Sequence, residues 1–211
     1  MTAYAWSVKP PTGERRVTPR LPAARRRQQL LDVALAVFGE QGFHPASMND
    51  VAEAAGVTKP VLYQHFRSKR DLYREVLTDV GAHLLEAITT ATTTAESPHE
   101  QVELGFIAYF GWVEGNQAAF RVLFGGGTRR DGEFAAQVAK VEGAIAEAIA
   151  TLIEVPGLTP AQRRHLAHGL VGLAEGTSRL WISEGSHEPA ERLARLVADM
   201  AWRGLRGLRG A

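Results

Sequence analysis

The chain has 211 residues, 45% apolar and 22% charged, with a net charge of +1 and no cysteine. That length can bury a full core in one large or two small domains, and the lack of cysteine excludes disulfides, thiol chemistry and Cys-ligated metals. No apolar run approaches the ~20 residues of a membrane span and no apolar signal segment opens the chain. The composition therefore points to a soluble cytoplasmic protein without a membrane partner.

The charge is unevenly spread. Residues 1–31 hold seven Lys/Arg against Glu14, whereas residues 82–211 hold 12 against 15 acids. A basic end on a mildly acidic body suggests a polyanion partner at that end; a solvated basic tail is the plainer alternative.

In chain order, residues 1–22 contain Pro10, Pro11, Pro19 and Pro22 without periodicity and read as a flexible basic arm. A first helix over about Ala23–Glu40 follows from Leu30, Leu31, Ala34, Leu35 and Phe38 at helical spacing, with Gly42 as its stop. Ser47 with Asp50 caps a second, about Met48–Ala55, which Gly56 ends. Thr58 caps a third, about Lys59–Phe66, and Ser68 with Asp71 a fourth that runs to about Thr92. Ser97-Pro98 with Glu100 opens a helix ending near Gly115, and a short one follows over Gln117–Phe124.

Gly125-Gly126-Gly127 and Asp131-Gly132 read as loop. Phe134, Val138, Val141, Ile145, Ile149 and Leu152 then mark a long amphipathic helix. Thr159-Pro160 starts another, to about Ile182, and Pro189 opens the last. The fold class is all-α, with about nine helices and a change of character near residue 80. It divides the chain into the arm (1–22), a helix-turn-helix domain (23–80) and a second helical domain (81–211).

Residues 56–73, GVTKPVLYQHFRSKRDLY, carry the chemistry. A helix-turn-helix needs small apolar residues where its helices meet and glycine at the turn. Val51, Ala52, Ala55 and Val57 supply the contact, with Leu62 and Phe66 facing them. The opposite face carries Lys59, Pro60, Val61 and Gln64. Lys59 suits guanine O6/N7, Gln64 adenine N6/N7, and Pro60 and Val61 the thymine methyl. Ser47, Thr58, Tyr63, His65 and Lys69 lie at helix starts or flanks, where phosphate oxygens would meet them. Arg25, Arg26 and Arg27 oppose the dipole of the first helix; contact with the DNA backbone is one reading and a solvated helix start the other. Arg27 joins the candidate phosphate contacts.

VFGEQGF (Val37–Phe43), SMNDVAEAAGV (Ser47–Val57) and VLYQHFRSK (Val61–Lys69) resemble the DNA-binding domain of the TetR family of bacterial transcriptional regulators. The resemblance implies base contacts from Lys59, Val61 and Gln64 and phosphate contacts from Ser47, Thr58, Tyr63, His65 and Lys69. It further implies an all-helical homodimer whose C-terminal domain binds a small molecule and controls DNA release, most often as a repressor.

In the C-terminal region, glycine costs about 1 kcal/mol in a helix interior, so Gly169, Gly172 and Gly176 on one helix ask for a close helix approach. The resemblance implies a dimer interface there, with Leu193, Val197 and Met200 opposite; close packing within the chain is the alternative. Phe106, Tyr109, Phe110, Phe120, Phe124 and Trp181, with Glu175, Ser178 and Arg179, are the candidates for an effector pocket, since such sites are apolar with a few convergent polar groups. The run Tyr109–Phe124 with Ala174–Trp181 is similar to actinobacterial acyl-CoA-responsive fatty-acid regulators of the family. That likeness implies an elongated apolar tunnel for an acyl-CoA or another lipid, with Arg121, Arg129, Arg130 or Arg179 on its phosphate or carboxylate.

His165 and His168 lack a metal-site partner set, and neither metal nor cofactor is expected. An enzyme is not expected either: Gly125–Gly127 lacks the Lys-Ser/Thr of a phosphate loop and no nucleophile–base pair stands out. The reading is a ligand-responsive regulator on a pseudo-palindromic double-stranded operator; an effector-independent architectural DNA binder is the alternative.

Overall fold

The computed structural model describes residues 22–208, so the expected arm lies, Pro22 excepted, outside the described residues. Among the described residues there are ten helices and no strand.

Helix α1 (Ala23–Gln41) buries Leu30, Leu31, Ala34, Leu35, Val37 and Phe38 on one face. Helix α2 (Met48–Ala54) starts with the capping box that the sequence announces: Ser47 Oγ accepts from the Asn49 and Asp50 amides at 3.2 Å, and Asp50 Oδ2 accepts from the Ser47 amide at 2.8 Å. Gly56 turns the chain at φ +64°, a left-handed conformation that a Cβ disfavours. Helix α3 (Lys59–His65) is seven residues long, too short to be stable alone. Leu62 and Phe66, 0% and 1% exposed, fasten it to the domain.

Helix α4 (Lys69–Thr92) is the spine of the molecule; it packs on α1 near its start and on the later helices beyond. The change of character expected near residue 80 falls inside this unbroken helix, and one buried core runs from Leu30 to Ala201. At Gly81 an added Cβ would lie 2.4 Å from Val141 Cγ2, so α4 meets its neighbour with almost no space between them.

Helices α5 (Pro98–Gly115) and α6 (Gln117–Phe124) follow as read. The triple glycine, expected as loop, instead forms the single turn α7 (Gly126–Arg130). Its side chains explain this. Thr128 Oγ1 donates to the Val122 carbonyl at 2.8 Å and lies 2.6 Å from Tyr73 Oη of α4, which anchors the turn despite its glycines. Asp131 then caps α8 (Gly132–Leu152). The last two helices are α9 (Pro160–Ser183), entered through a Thr159/Gln162 capping box, and α10 (Ala190–Gly207). Helix α9 packs on α8, and α10 on α5.

Candidate nucleic-acid interface and ligand cavity

The underside of α3 is apolar and buried; its outer side is not. Thr58, Lys59, Pro60, Tyr63 and Gln64 are exposed, and Val61 and His65 half-buried. Lys59, Tyr63 and Gln64 have no hydrogen-bond or ion-pair partner among the described residues, and Thr58 makes no side-chain cap bond. Four of these side chains can donate to or accept from a base edge or a phosphate. Ser47 sits beside them at the start of α2. Its oxygen accepts two amides, and its hydroxyl proton is left to donate.

Two expected phosphate contacts are engaged inside the protein. Lys69 Nζ donates to the carbonyls of Phe43, His44 and Ala46 at 2.8, 3.1 and 2.8 Å and lies 4.5 Å from the Phe43 ring centre. An ammonium has three donors, and all three of Lys69 are engaged in holding the α1–α2 connection. Arg27 pairs with Glu75 of α4 at 2.9 Å and covers the Phe66 ring at 5.1 Å. It is a strut between α1 and α4. Arg26 likewise turns to Gln29 at 2.8 Å.

In the C-terminal half a cavity of about 310 Å³ runs between α4, α5, α8 and α9. Four of the nine expected pocket residues line it: Phe106, Tyr109, Phe124 and Glu175. The other five do not. Phe110 is wholly buried against Trp181, and Phe120 packs on Phe124. Trp181 donates Nε1 to the Glu188 carbonyl at 2.8 Å. Ser178 is buried in α9, and Arg179 binds the Phe124 carbonyl at 3.1 Å together with Glu175. Sequence reasoning missed Leu84 and Ile88 of α4, Ile145 and Ile149 of α8, and Leu170 and Val171 of α9. Their spacing marks them as core, and core periodicity looks the same whether a residue faces a neighbour or a cavity.

The missed polar residue is Glu142. It lies among Val138, Ile145 and Ile149 on the apolar stripe of α8 and lines the cavity. A carboxylate on a buried stripe was the available signal. Burial, and secondarily Glu175, push the Glu142 carboxyl above the usual carboxylate range, while Arg129 and His168 oppose the shift. Glu175 is itself bracketed by Arg129 of α7 and Arg179 of α9, and Arg129 reaches Glu142 only at 3.6 Å. The Tyr109 hydroxyl, at the same end, is pushed up by burial first of all. Ser178 lies near enough to moderate that shift, yet neither hydroxyl has a partner at hydrogen-bonding distance and angle.

Of the expected tunnel arginines, Arg121, Arg129, Arg130 and Arg179, none lines the cavity. Arg121 donates to the Gly39 carbonyl at 3.2 Å, and Arg129 and Arg179 are spent on Glu175. Among the described residues the arginine that lines the cavity is Arg206, exposed at the end of α10.

Gly169, Gly172 and Gly176 are exposed along α9, and a Cβ at any of them would meet nothing within 4 Å. Close packing within the chain therefore does not account for them. Leu180, Leu196 and Met200 are 60%, 61% and 56% exposed. Val197 is 6% exposed and faces the core, so it leaves the expected outer face, and Leu193 is partly buried against the core. Leu196 joins that face although its spacing did not single it out.

Residues 30–76 match the model of a family described as bacterial regulatory proteins, tetR family, and residues 98–204 that of a tetracyclin repressor-like C-terminal domain. The HTH-type transcriptional activator FasR of Mycolicibacterium smegmatis is 33% identical over 205 residues, 97% of this chain and 94% of its own. The HTH-type transcriptional repressor KstR2 of the same species is 36% identical over 101 residues, 48% of this chain and 49% of its own. A TetR-like regulator structure from Rhodococcus sp. RHA1 superposes at a TM-score of 0.73 and 31% identity, covering 90% of this chain and 100% of its own. FadR of Bacillus subtilis, solved in complex with stearoyl-CoA, shares the fold at a TM-score of 0.72 and 17% identity, covering 86% of this chain and 99% of its own.

Proposed function

The chain belongs to the TetR family of bacterial transcriptional regulators, and from that premise we propose that it binds a pseudo-palindromic operator as a homodimer and answers to an elongated, largely apolar effector. The observation that carries the DNA half is the outer side of α3, where Lys59, Tyr63 and Gln64 stand unpaired among the described residues over a buried apolar base. Lys59, Pro60, Val61 and Gln64 read bases in the major groove; Ser47, Thr58, Tyr63 and His65 hold phosphates. Two such helices in one dimer would enter successive major grooves about 34 Å apart.

The exposed stripe of Gly169, Gly172 and Gly176 on α9, with Leu180, Leu196 and Met200, is the surface through which the copies pair. Exposed leucines of this number beside backbone bared by glycine favour burial against a second copy. The protein acts in the cytoplasm, where its DNA is; no helix among the described residues is long and apolar enough to cross a membrane.

The effector site is the cavity. Its walls are mostly aliphatic and aromatic, and its volume is at the lower end of small-molecule sites. An acyl-CoA or another lipid suits it, with the chain inside and the anionic head at Arg206; FadR of the same fold holds stearoyl-CoA. The boundary at residue 80 separates two roles rather than two bodies. Residues 23–80 read DNA and residues 81–211 sense and pair, along one continuous α4.

Coupling follows from the turn α7. Arg129 holds it to the cavity wall through Glu175, Thr128 holds it to Tyr73 of α4, and Arg70 of α4 binds Asp131 and Glu133 at the start of α8. An effector that binds more tightly to one placement of this turn shifts α4 and the spacing of the reading heads. The relative matched over nearly its whole length is named an activator, and the one matched over about half of its length a repressor. The proposal therefore covers regulation of either sign, which operator position relative to the promoter decides.

A gel shift on the DNA upstream of the chain's own gene, repeated with acyl-CoAs, is the test. Retarded DNA that resists random competitor and is released by an acyl-CoA supports the reading. Retardation without sequence preference, insensitive to every lipid, would instead establish an architectural DNA binder.

A further inference from the structure

The cavity has two unlike ends. Pro98, Glu154, Pro156, Arg206 and Leu208 are exposed and form its mouth. Tyr109, Phe124, Glu142 and Glu175 close the other end, nearer the DNA-reading helices. From Pro98 to Tyr109 along α5 is about 16 Å by helix rise, the reach of an extended alkyl chain of roughly a dozen carbons.

The closed end is polar, and its charges are unequally matched. Glu175 takes both nearby guanidinium groups, from Arg129 and Arg179. Glu142 receives only the 3.6 Å approach of Arg129, too long for a hydrogen bond, and His168 is the other neighbour that favours its charged form. The side chain of Glu142 keeps 25% of its surface exposed, so its carboxylate is open to water. Tyr109 is 7% exposed and lines the same end; among the described residues its hydroxyl has no partner at hydrogen-bonding distance and angle, although Ser178 lies near enough to act on it.

A bound chain shuts water out of this end. If the chain ended in a methyl group, it would leave a carboxylate without a hydrogen bond and a phenol dry, which is costly. If it ended in a carboxylate, it would meet Glu142 and Glu175 with both arginines already engaged. A terminal hydroxyl answers both needs: it donates to Glu142 and accepts from Tyr109.

We propose that Glu142 and Tyr109 make this cavity selective for aliphatic effectors carrying an uncharged hydroxyl at the buried end, the terminally hydroxylated acyl chains, over plain chains and over dicarboxylic ones. The proposal rests on the reading of the cavity as the effector site. Glu142 is thereby a specificity-determining residue.

The test is calorimetric titration of the full chain with dodecanoyl-CoA, omega-hydroxydodecanoyl-CoA and the mono-CoA thioester of dodecanedioic acid. The hydroxylated probe is expected to bind roughly tenfold tighter than the plain one, the gain of one charge-assisted hydrogen bond, and the dicarboxylic probe weakest. In Glu142→Leu the advantage of the hydroxyl disappears while the plain probe binds at least as well as before; Tyr109→Phe reduces the advantage in part. Equal binding of plain and hydroxylated probes to the parent protein overturns the proposal and leaves the effector site standing. So does tightest binding of the dicarboxylic probe, or an advantage that survives both substitutions. Failure of all three probes to bind overturns the acyl-chain reading of the cavity as well.

Discussion

The outer face of α3 and the closed end of the cavity hold polar side chains in opposite ways. On α3, Lys59, Tyr63 and Gln64 are free of partners among the described residues, and the order of the surface comes from the apolar residues beneath them. At the cavity end, Arg129, Glu175 and Arg179 are engaged with each other, and the surface left to a ligand is what that network does not use. A face that reads DNA can leave its polar groups to water until DNA arrives. A buried site is destabilised by each unpaired group, so the few unpaired ones describe the ligand.

The largest test of the comparison removes the apolar base under α3. Phe66→Ala takes a 1% exposed ring from between α3, α1 and Arg27 and is expected to cost about 3–5 kcal/mol in denaturant unfolding. A loss under about 1 kcal/mol would mean that the reading helix is not held from beneath. Lys69→Met comes next. It strands three carbonyls, two of them part-buried, and should cost about 1–3 kcal/mol of stability; a variant as stable as the parent with weaker affinity for all DNA would return Lys69 to the phosphates.

Tyr73→Phe removes the hydroxyl that touches Thr128 and the Val122 carbonyl. It is expected to cost about 1 kcal/mol and to weaken effector-driven release more than DNA binding itself. Release unchanged in an anisotropy assay would show that α7 does not carry the signal.

Glu142→Gln has the smallest effect on stability, and its size depends on pH. Burial raises the Glu142 pKa in the folded protein, so the folded state binds this proton more tightly than the unfolded chain and ionised Glu142 disfavours folding above the raised pKa. The variant should melt above the parent at neutral pH, with the gap closing as pH falls into the ordinary carboxylate range. A gap of constant size across that range would assign the effect to packing instead.

The DNA-reading region is more legible in the sequence than the cavity, for physical reasons. Capping boxes, the Gly56 turn and apolar spacing are local, so Ser47, Gly56, Leu62 and Phe66 stand in the structure where the sequence puts them. Lys69 and Arg27 escape a local reading because their partners, Phe43, His44, Ala46 and Glu75, are more than twenty residues away. The cavity is half legible. Aromatic residues stand out in a sequence, yet Phe110 and Trp181 fill space while Leu84, Ile88 and Ile145 enclose it. The turn α7 is hidden by its glycines, because Thr128 and Tyr73 that fix it are 55 residues apart.

The most direct measurement is the ratio of affinities for an operator and a scrambled duplex of equal length, at one salt concentration, for the parent protein and Gln64→Ala. Gln64 is exposed and unpaired, so the substitution should leave stability within about 0.5 kcal/mol and reduce the ratio by about 1–3 kcal/mol, with affinity for the scrambled duplex unchanged. An unchanged ratio, or an equal loss on both duplexes, would contradict the claim that the outer face of α3 reads sequence.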